Sequence, residues 1–104
     1  MNVFNIIEKL PYRPVHGMEC IVTQTCRINN VLYREGERGV LYCTTRLRWC
    51  ISPDPTTLEG SSLSRSQLQR IAQPVEYYNI AKQLTIEGMS RSEIREALLC
   101  IYNI

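Results

Sequence analysis

At 104 residues, with 44% hydrophobic and 21% charged residues, the chain reads as one soluble globular domain, large enough for a core without obligatory staples. That make-up excludes disorder as the dominant state, and a net charge of +2 is too small to imply a polyanion partner by itself. The apolar runs are too short to cross a bilayer, so no membrane partner is expected.

The opening MNVFNIIEKLPYRP has neither a basic n-region nor a small-residue cleavage site, so no signal peptide is read there and the cytoplasm, or a host cytoplasm, is the default compartment. Five cysteines, an odd number without an export signal, argue for reduced thiols rather than a disulfide framework. Only Lys9 and Lys82 are lysines, and the other basic residues are all arginines. Arginine's planar fork suits carboxylate, phosphate and stacking contacts and is enriched at interfaces.

Residues 2–10 predict a short helix with Asn2 as N-cap and Val3, Phe4, Ile7 and Leu10 on one face, ended by Pro11. A buried edge strand is the alternative, because Val3, Phe4, Ile6 and Ile7 all favour strands. Pro11, Pro14 and Gly17 make an irregular connector.

From Met18 the period changes to two. Met18, Cys20, Val22, Gln24, Cys26 and Ile28 line one face, which is apolar except for Gln24 and is therefore expected to be the buried one. Asn29-Asn30 predicts a type I′ turn and Val31–Tyr33 a returning strand; Arg34–Glu37 turns again with Gly36 in the left-handed region. Val40–Thr45 and Arg46–Ile51 are the third and fourth runs. In the last, alternation turns Leu47, Trp49 and Ile51 inward and Arg46 and Arg48 outward. Pro53-Asp54-Pro55 stops the sheet, and 56–62 reads as loop.

The remainder reads as helical. Leu63-Ser64-Arg65-Ser66-Gln67-Leu68 and Met89-Ser90-Arg91-Ser92-Glu93-Ile94 each combine a capping box with a hydrophobic staple, so helices start at Ser64 and Ser90. Between them Pro74 suits a first helical position, Tyr77, Ile80, Ala81 and Leu84 follow at helical spacing, and Gly88 is a C′ residue. Ile94, Ala97, Leu98 and Ile101 give the last helix its buried stripe. These are three helices of roughly 9, 13 and 13 residues.

No cysteine pair has the spacing of a zinc knuckle: Cys20, Cys26, Cys43 and Cys50 are far apart and, with His16, read better as core filling than as ligands. A nucleophile built on Cys20 and His16 lacks any local signature. Glu35 and Glu37 beside Arg34 and Arg38 read as a solvated, charge-balanced hairpin tip, and no phosphate-cradling glycine loop is present. No small-molecule cofactor and no metal is expected, and the chain is read as non-enzymatic.

Two binding classes remain. Arg27, Arg34, Arg38, Arg46 and Arg48 with Tyr33, Tyr42 and Trp49 are the residue types of a nucleic-acid surface, though Glu19, Glu35 and Glu37 offset their field. Ala81–Leu98, AKQLTIEGMSRSEIREAL, resembles the first two helices of trihelical helix-turn-helix domains of recombinases and regulators. The resemblance implies an accessory role on nucleic acid, but the sequence after it offers no third, base-reading helix. The leading expectation is protein recognition or self-association. Tyr12, Tyr33, Tyr42, Tyr77, Tyr78, Tyr102, Trp49 and the arginines are hot-spot residue types. Tyr77 and Tyr78 are adjacent on one helix, so at least one should be exposed or at an interface, as should Tyr102. The expected binding residues are therefore Arg34, Arg38, Arg46, Arg48, Tyr77, Tyr78 and Tyr102. The expected fold is α+β: a curved antiparallel sheet of about four strands, or a small SH3-like barrel, covered by a three-helix C-terminal segment.

Overall fold

A computed structural model describes residues 2–44, 46–52 and 62–103. The order is α1 (Val3–Ile7), β1 (Glu19–Val22), β2 (Cys26–Ile28), β3 (Val31–Tyr33), β4 (Arg38–Cys43), β5 (Trp49–Ser52), α2 (Arg65–Ile71), β6 (Ala72–Pro74), α3 (Val75–Ile86) and α4 (Arg91–Tyr102). The fold is α+β. Its sheet is antiparallel and open, in the order β5-β4-β1-β6, with β2 and β3 forming a separate two-stranded hairpin. Among the described residues no barrel closes, because β5 and β6 are the two edges of the larger sheet. The expected break at Pro53–Pro55 lies outside the described residues.

The long strand read from Met18 to Ile28 is two strands. β1 stops at Val22, whose N–H donates to Glu37 O at 2.8 Å and whose carbonyl accepts from Gly36 at 2.8 Å; Cys26–Ile28 belongs to the other hairpin. Nor does β1 have a solvent face. Beyond the exposed Glu19, Cys20, Ile21 and Val22 are all buried although they alternate between the two faces; β1 is a central strand of the sheet with α3 packed on it. Alternation marks a strand covered on one side only, and β1 is covered on both.

β6 has no counterpart in the sequence reading. Ala72–Pro74 pairs with Val22–Cys20 through the register Val22↔Ala72, Ile21↔Gln73 and Cys20↔Pro74. Thr23 N–H donates to Ile71 O at 2.8 Å, so by alternation the backbone of Ala72 and Pro74 points away from β1. Proline at an outward position of an edge strand forfeits no ladder bond. Pro74 is thus the N-cap of α3 rather than its first helical residue.

Local signals elsewhere took the form expected. Asn29 and Asn30 both have positive φ, as a type I′ turn requires, and Gly36 sits at φ 91°. Both capping boxes are complete: Ser64 with Gln67 and Ser90 with Glu93. Their staple residues Leu63, Leu68 and Ile94 are buried. After α3, Gly88 N–H donates to Thr85 O and Met89 N–H to Leu84 O, both at 3.1 Å, which is a Schellman stop.

α1 is shorter than expected. Asn2 caps it, Glu8 ends it, and Lys9 turns at φ 62°. Side chains from α2, β6 and α4 then clasp the carbonyls at its end and just beyond it. Arg95 donates to Ile6 O at 2.6 Å and Glu8 O at 3.1 Å, while Gln69 and Gln73 both donate to Leu10 O. Ile101, expected in the buried stripe of the last helix, is 58% exposed; Tyr102 beside it packs on the core instead.

Candidate docking surface

The seven expected binding residues fall into two regions: Tyr77, Tyr78 and Tyr102 with Arg34 and Arg38, joined through the Arg38–Tyr78 contact, and Arg46 with Arg48 beyond the other end of β4. Tyr77, Tyr78 and Tyr102 are internal or nearly so. Tyr77 is buried, edge-on to Tyr12 at 6.4 Å and 4.5 Å from the Tyr102 ring. Tyr78 is half-buried and stacks on Phe4 at 5.3 Å. Successive residues on a helix point about 100° apart, yet both rings are covered, because α1 packs on a second side of α3. Within the chain, then, Tyr77 is buried and Tyr78 and Tyr102 are half-buried rather than exposed.

Arg34 and Arg38 are exposed at the Gly36 turn. That turn is closed by Glu37 N–H to Arg34 O at 3.0 Å and pinned by Glu35 N–H to Thr25 Oγ1 at 3.0 Å. Arg38 sits 6.0 Å over the Tyr78 ring, where its guanidinium faces π density.

Arg46 and Arg48 belong to the opposite end of β4, in the reversal to β5. Here the strand read over Arg46–Ile51 is overturned, since β5 begins only at Trp49. Thr44 organises the reversal. Its N–H donates to Arg48 O at 2.7 Å, its carbonyl accepts from Leu47 N–H at 3.1 Å, and its Oγ1 accepts from the N–H groups of Arg46 and Arg48 at 3.4 and 3.1 Å. Leu47 closes the loop at φ 58°, the left-handed position that hairpins of this kind usually give to glycine. Alternation turned Leu47 inward; it is 81% exposed. Arg48 is half-buried, its Nε donating to Ser62 Oγ at 3.3 Å and its Nη2 to Ser62 O at 3.2 Å. Arg46 is exposed. No glycine, asparagine or proline occurs between Leu41 and Ser52, so nothing in the composition announced this turn.

The connector before β1 runs beside the same end of the sheet. Gly17 N–H donates to Leu41 O at 2.8 Å, Cys43 N–H donates to His16 Nδ1 at 3.1 Å, and the His16 ring stands edge-on to Tyr42 at 5.3 Å. His16 is thereby committed to the Cys43 backbone. Cys20, the nucleophile that the sequence placed near it, is fully buried, and burial pushes its thiol from 9.0 up to about 12. A thiol held protonated in an apolar site is a poor nucleophile. Among the described residues no group of three or more His, Cys, Asp or Glu side chains could hold a metal ion, and no helix is long and apolar enough to cross a membrane.

The chain matches no known family model, no curated protein and no solved structure. The surface must therefore be read from its own chemistry.

The buried acids make one general prediction. Burial raises Cys20, and burial with the Glu76 carboxylate raises the Tyr102 phenol from 10.0 to about 12; Tyr12 and Tyr77 are also raised by burial. In each case the folded state keeps a proton that the unfolded chain releases. Stability is therefore full below pH 9 and falls as pH rises beyond it, by up to about 1.4 kcal/mol per pH unit for each fully buried group. Urea midpoints at pH 8, 9.5 and 10.5 should decline, and Cys20→Ala should flatten the first part of the decline. Midpoints that stay level across that range would contradict it.

Proposed function

We propose that this chain is a non-enzymatic docking protein that engages a protein partner through the tip of its β4–β5 hairpin, with Leu47 as anchor. The observation that carries this reading is an 81% exposed leucine held at φ 58° by a closed hydrogen-bond frame. A left-handed conformation costs an L-residue roughly 1–2 kcal/mol, and an exposed leucine contributes nothing to the core in return. Strain of that kind collects at binding sites. Fully burying a leucine against a partner gains about 1.5–3 kcal/mol, and a tip already fixed in place loses little entropy on binding.

Nucleic-acid binding through the arginines is less well supported. Arg38 and Arg46 lie at opposite ends of β4, about 20 Å apart along a strand of that length, and Arg48 is already tied to Ser62.

Leu47→Asn and Leu47→Asp separate stability from function. Asparagine tolerates the left-handed region, so Leu47→Asn should leave stability unchanged or raise it by up to about 1 kcal/mol, measured by urea unfolding. Both variants should lose tenfold or more in capture of the partner from native-host lysate, on the order of the burial energy above. Arg34→Ala with Arg38→Ala should leave capture intact. Wild-type capture by Leu47→Asp would remove the tip from the reading. Capture that vanishes on nuclease treatment would favour nucleic acid.

A further inference from the structure

We infer that the surface receiving Leu47 is an apolar pocket rimmed by carboxylates on the partner protein; this rests on the docking reading above. The chemistry of the tip carries the inference. Two stretches, 11–18 and 41–52, meet at this end of the sheet through the Gly17–Leu41 and Cys43–His16 hydrogen bonds and the His16–Tyr42 ring contact. Together they hold Arg13, Arg46 and Arg48 and not one aspartate or glutamate, whereas the whole chain nets only +2. Within these two stretches every charged side chain is thus a cation, with exposed Glu19 bordering the first. Two aliphatic side chains stand out from the same stretches, Leu47 at 81% and Val15 at 53% exposure.

A leucine flanked by cations is complementary to a dry pocket with an acidic rim. A phosphate backbone would pair with the arginines but leave Leu47 against water or sugar. An anionic bilayer would accept both groups, but one leucine and a few arginines are too little for stable attachment, which needs two strong signals. The division of labour between the arginines is also defined. Arg48 has its Nε and Nη2 on Ser62, so Arg46 is the cation with its fork open to the rim. That makes Arg46 the specificity-setting residue and Leu47 the affinity-setting one.

The test replaces Leu47 with the photo-crosslinker benzoylphenylalanine in the full chain, with Ile86, 72% exposed on α3, substituted likewise as control. Each protein is irradiated in native-host lysate, and purified protein is irradiated with phosphatidylserine vesicles and with duplex DNA. The expected result is a position-47 adduct to a protein, mapping to a peptide with apolar residues beside Asp or Glu. Its yield should fall about tenfold or more with Arg46→Glu and survive Arg46→Lys. A protein adduct indifferent to Arg46→Glu overturns the acidic rim and leaves the docking reading standing. Adducts only to lipid or DNA overturn the partner class. An adduct at position 86 but none at 47, with capture by the chain otherwise unchanged by Leu47→Asp, overturns the tip as the contact, and no adduct at either position together with no protein captured by the unsubstituted chain defeats the docking reading itself.

Discussion

Gly39→Ala is expected to destabilise the protein by about 3 kcal/mol, the upper part of the range for overpacking a tight site. Gly39 lies in β4 opposite Cys20 of β1. A Cβ built there would stand 2.7 Å from Ile51 Cγ2 and 2.9 Å from the Ser52 carbonyl oxygen. Neither neighbour can retreat cheaply. The first is a methyl of a buried β-branched residue, whose χ1 freedom is restricted; the second is backbone of the adjoining strand. Relief therefore means prising β5 from β4, the ladder that also fixes the Leu47 tip. For a domain of this size a loss of about 3 kcal/mol corresponds to a drop in Tm of roughly 12–24 °C. Gly17→Ala is the control, because Gly17 has φ 87° but nothing within 4 Å of its absent Cβ. It should cost only the conformational term, about 1 kcal/mol. Thermal and urea unfolding of the two variants decide the matter, and a Gly39→Ala cost no larger than that of Gly17→Ala would refute the steric account.

What could be read from residues alone divides along the range of the forces involved. The helix starts at Ser64 and Ser90, the stop at Gly88 and the reversals at Asn29-Asn30 and Gly36 are decided within four or five residues, and all are present. β6 was illegible because Ala72-Gln73-Pro74 has little strand preference of its own; its conformation comes from pairing with β1, some fifty residues earlier. Ile21 is buried as well as Cys20 and Val22, which spoils the alternation that suggested a single long strand. The β4–β5 turn departs from its sequence pattern for a related reason. Thr44 side-chain and backbone bonds build the turn, and a threonine cluster looks like strand. Arg46 reads as an outward residue from the sequence, but Leu47, the most exposed large hydrophobic side chain among the described residues, reads as core. The tyrosines departed in the opposite sense: composition suggested exposed rings, while Phe4 of α1 stacks on Tyr78 and Tyr77 packs between Tyr12 and Tyr102.

The larger of the remaining effects is expected at Tyr12. Tyr12→Ala should cost about 3–5 kcal/mol, the range for removing a large buried aromatic side chain. Its ring is buried and meets Tyr77 edge-on. Its hydroxyl donates to Ala72 O at 3.0 Å, and Ala72 N–H is already taken by Leu68 O. Since the Ala72 backbone points away from β1, the Tyr12 hydroxyl satisfies a carbonyl on the outer edge of the sheet. One residue thus fastens the N-terminal segment to α3 and covers an edge strand that would otherwise offer a backbone acceptor for pairing. Tyr12→Phe isolates the second role. It keeps the ring and strands the Ala72 carbonyl, so it should cost about 1–2 kcal/mol, near the price of a buried acceptor without a partner. The phenylalanine variant also removes a phenol whose ionisation burial disfavours, so its stability should decline less steeply than wild type above pH 10. Urea unfolding at pH 7 and pH 10.5 reads both effects. A Tyr12→Phe protein as stable as wild type at pH 7 would show that the hydroxyl does not hold the edge. If it also tracked the wild-type decline at pH 10.5, Tyr12 would not be one of the groups that bring that decline about.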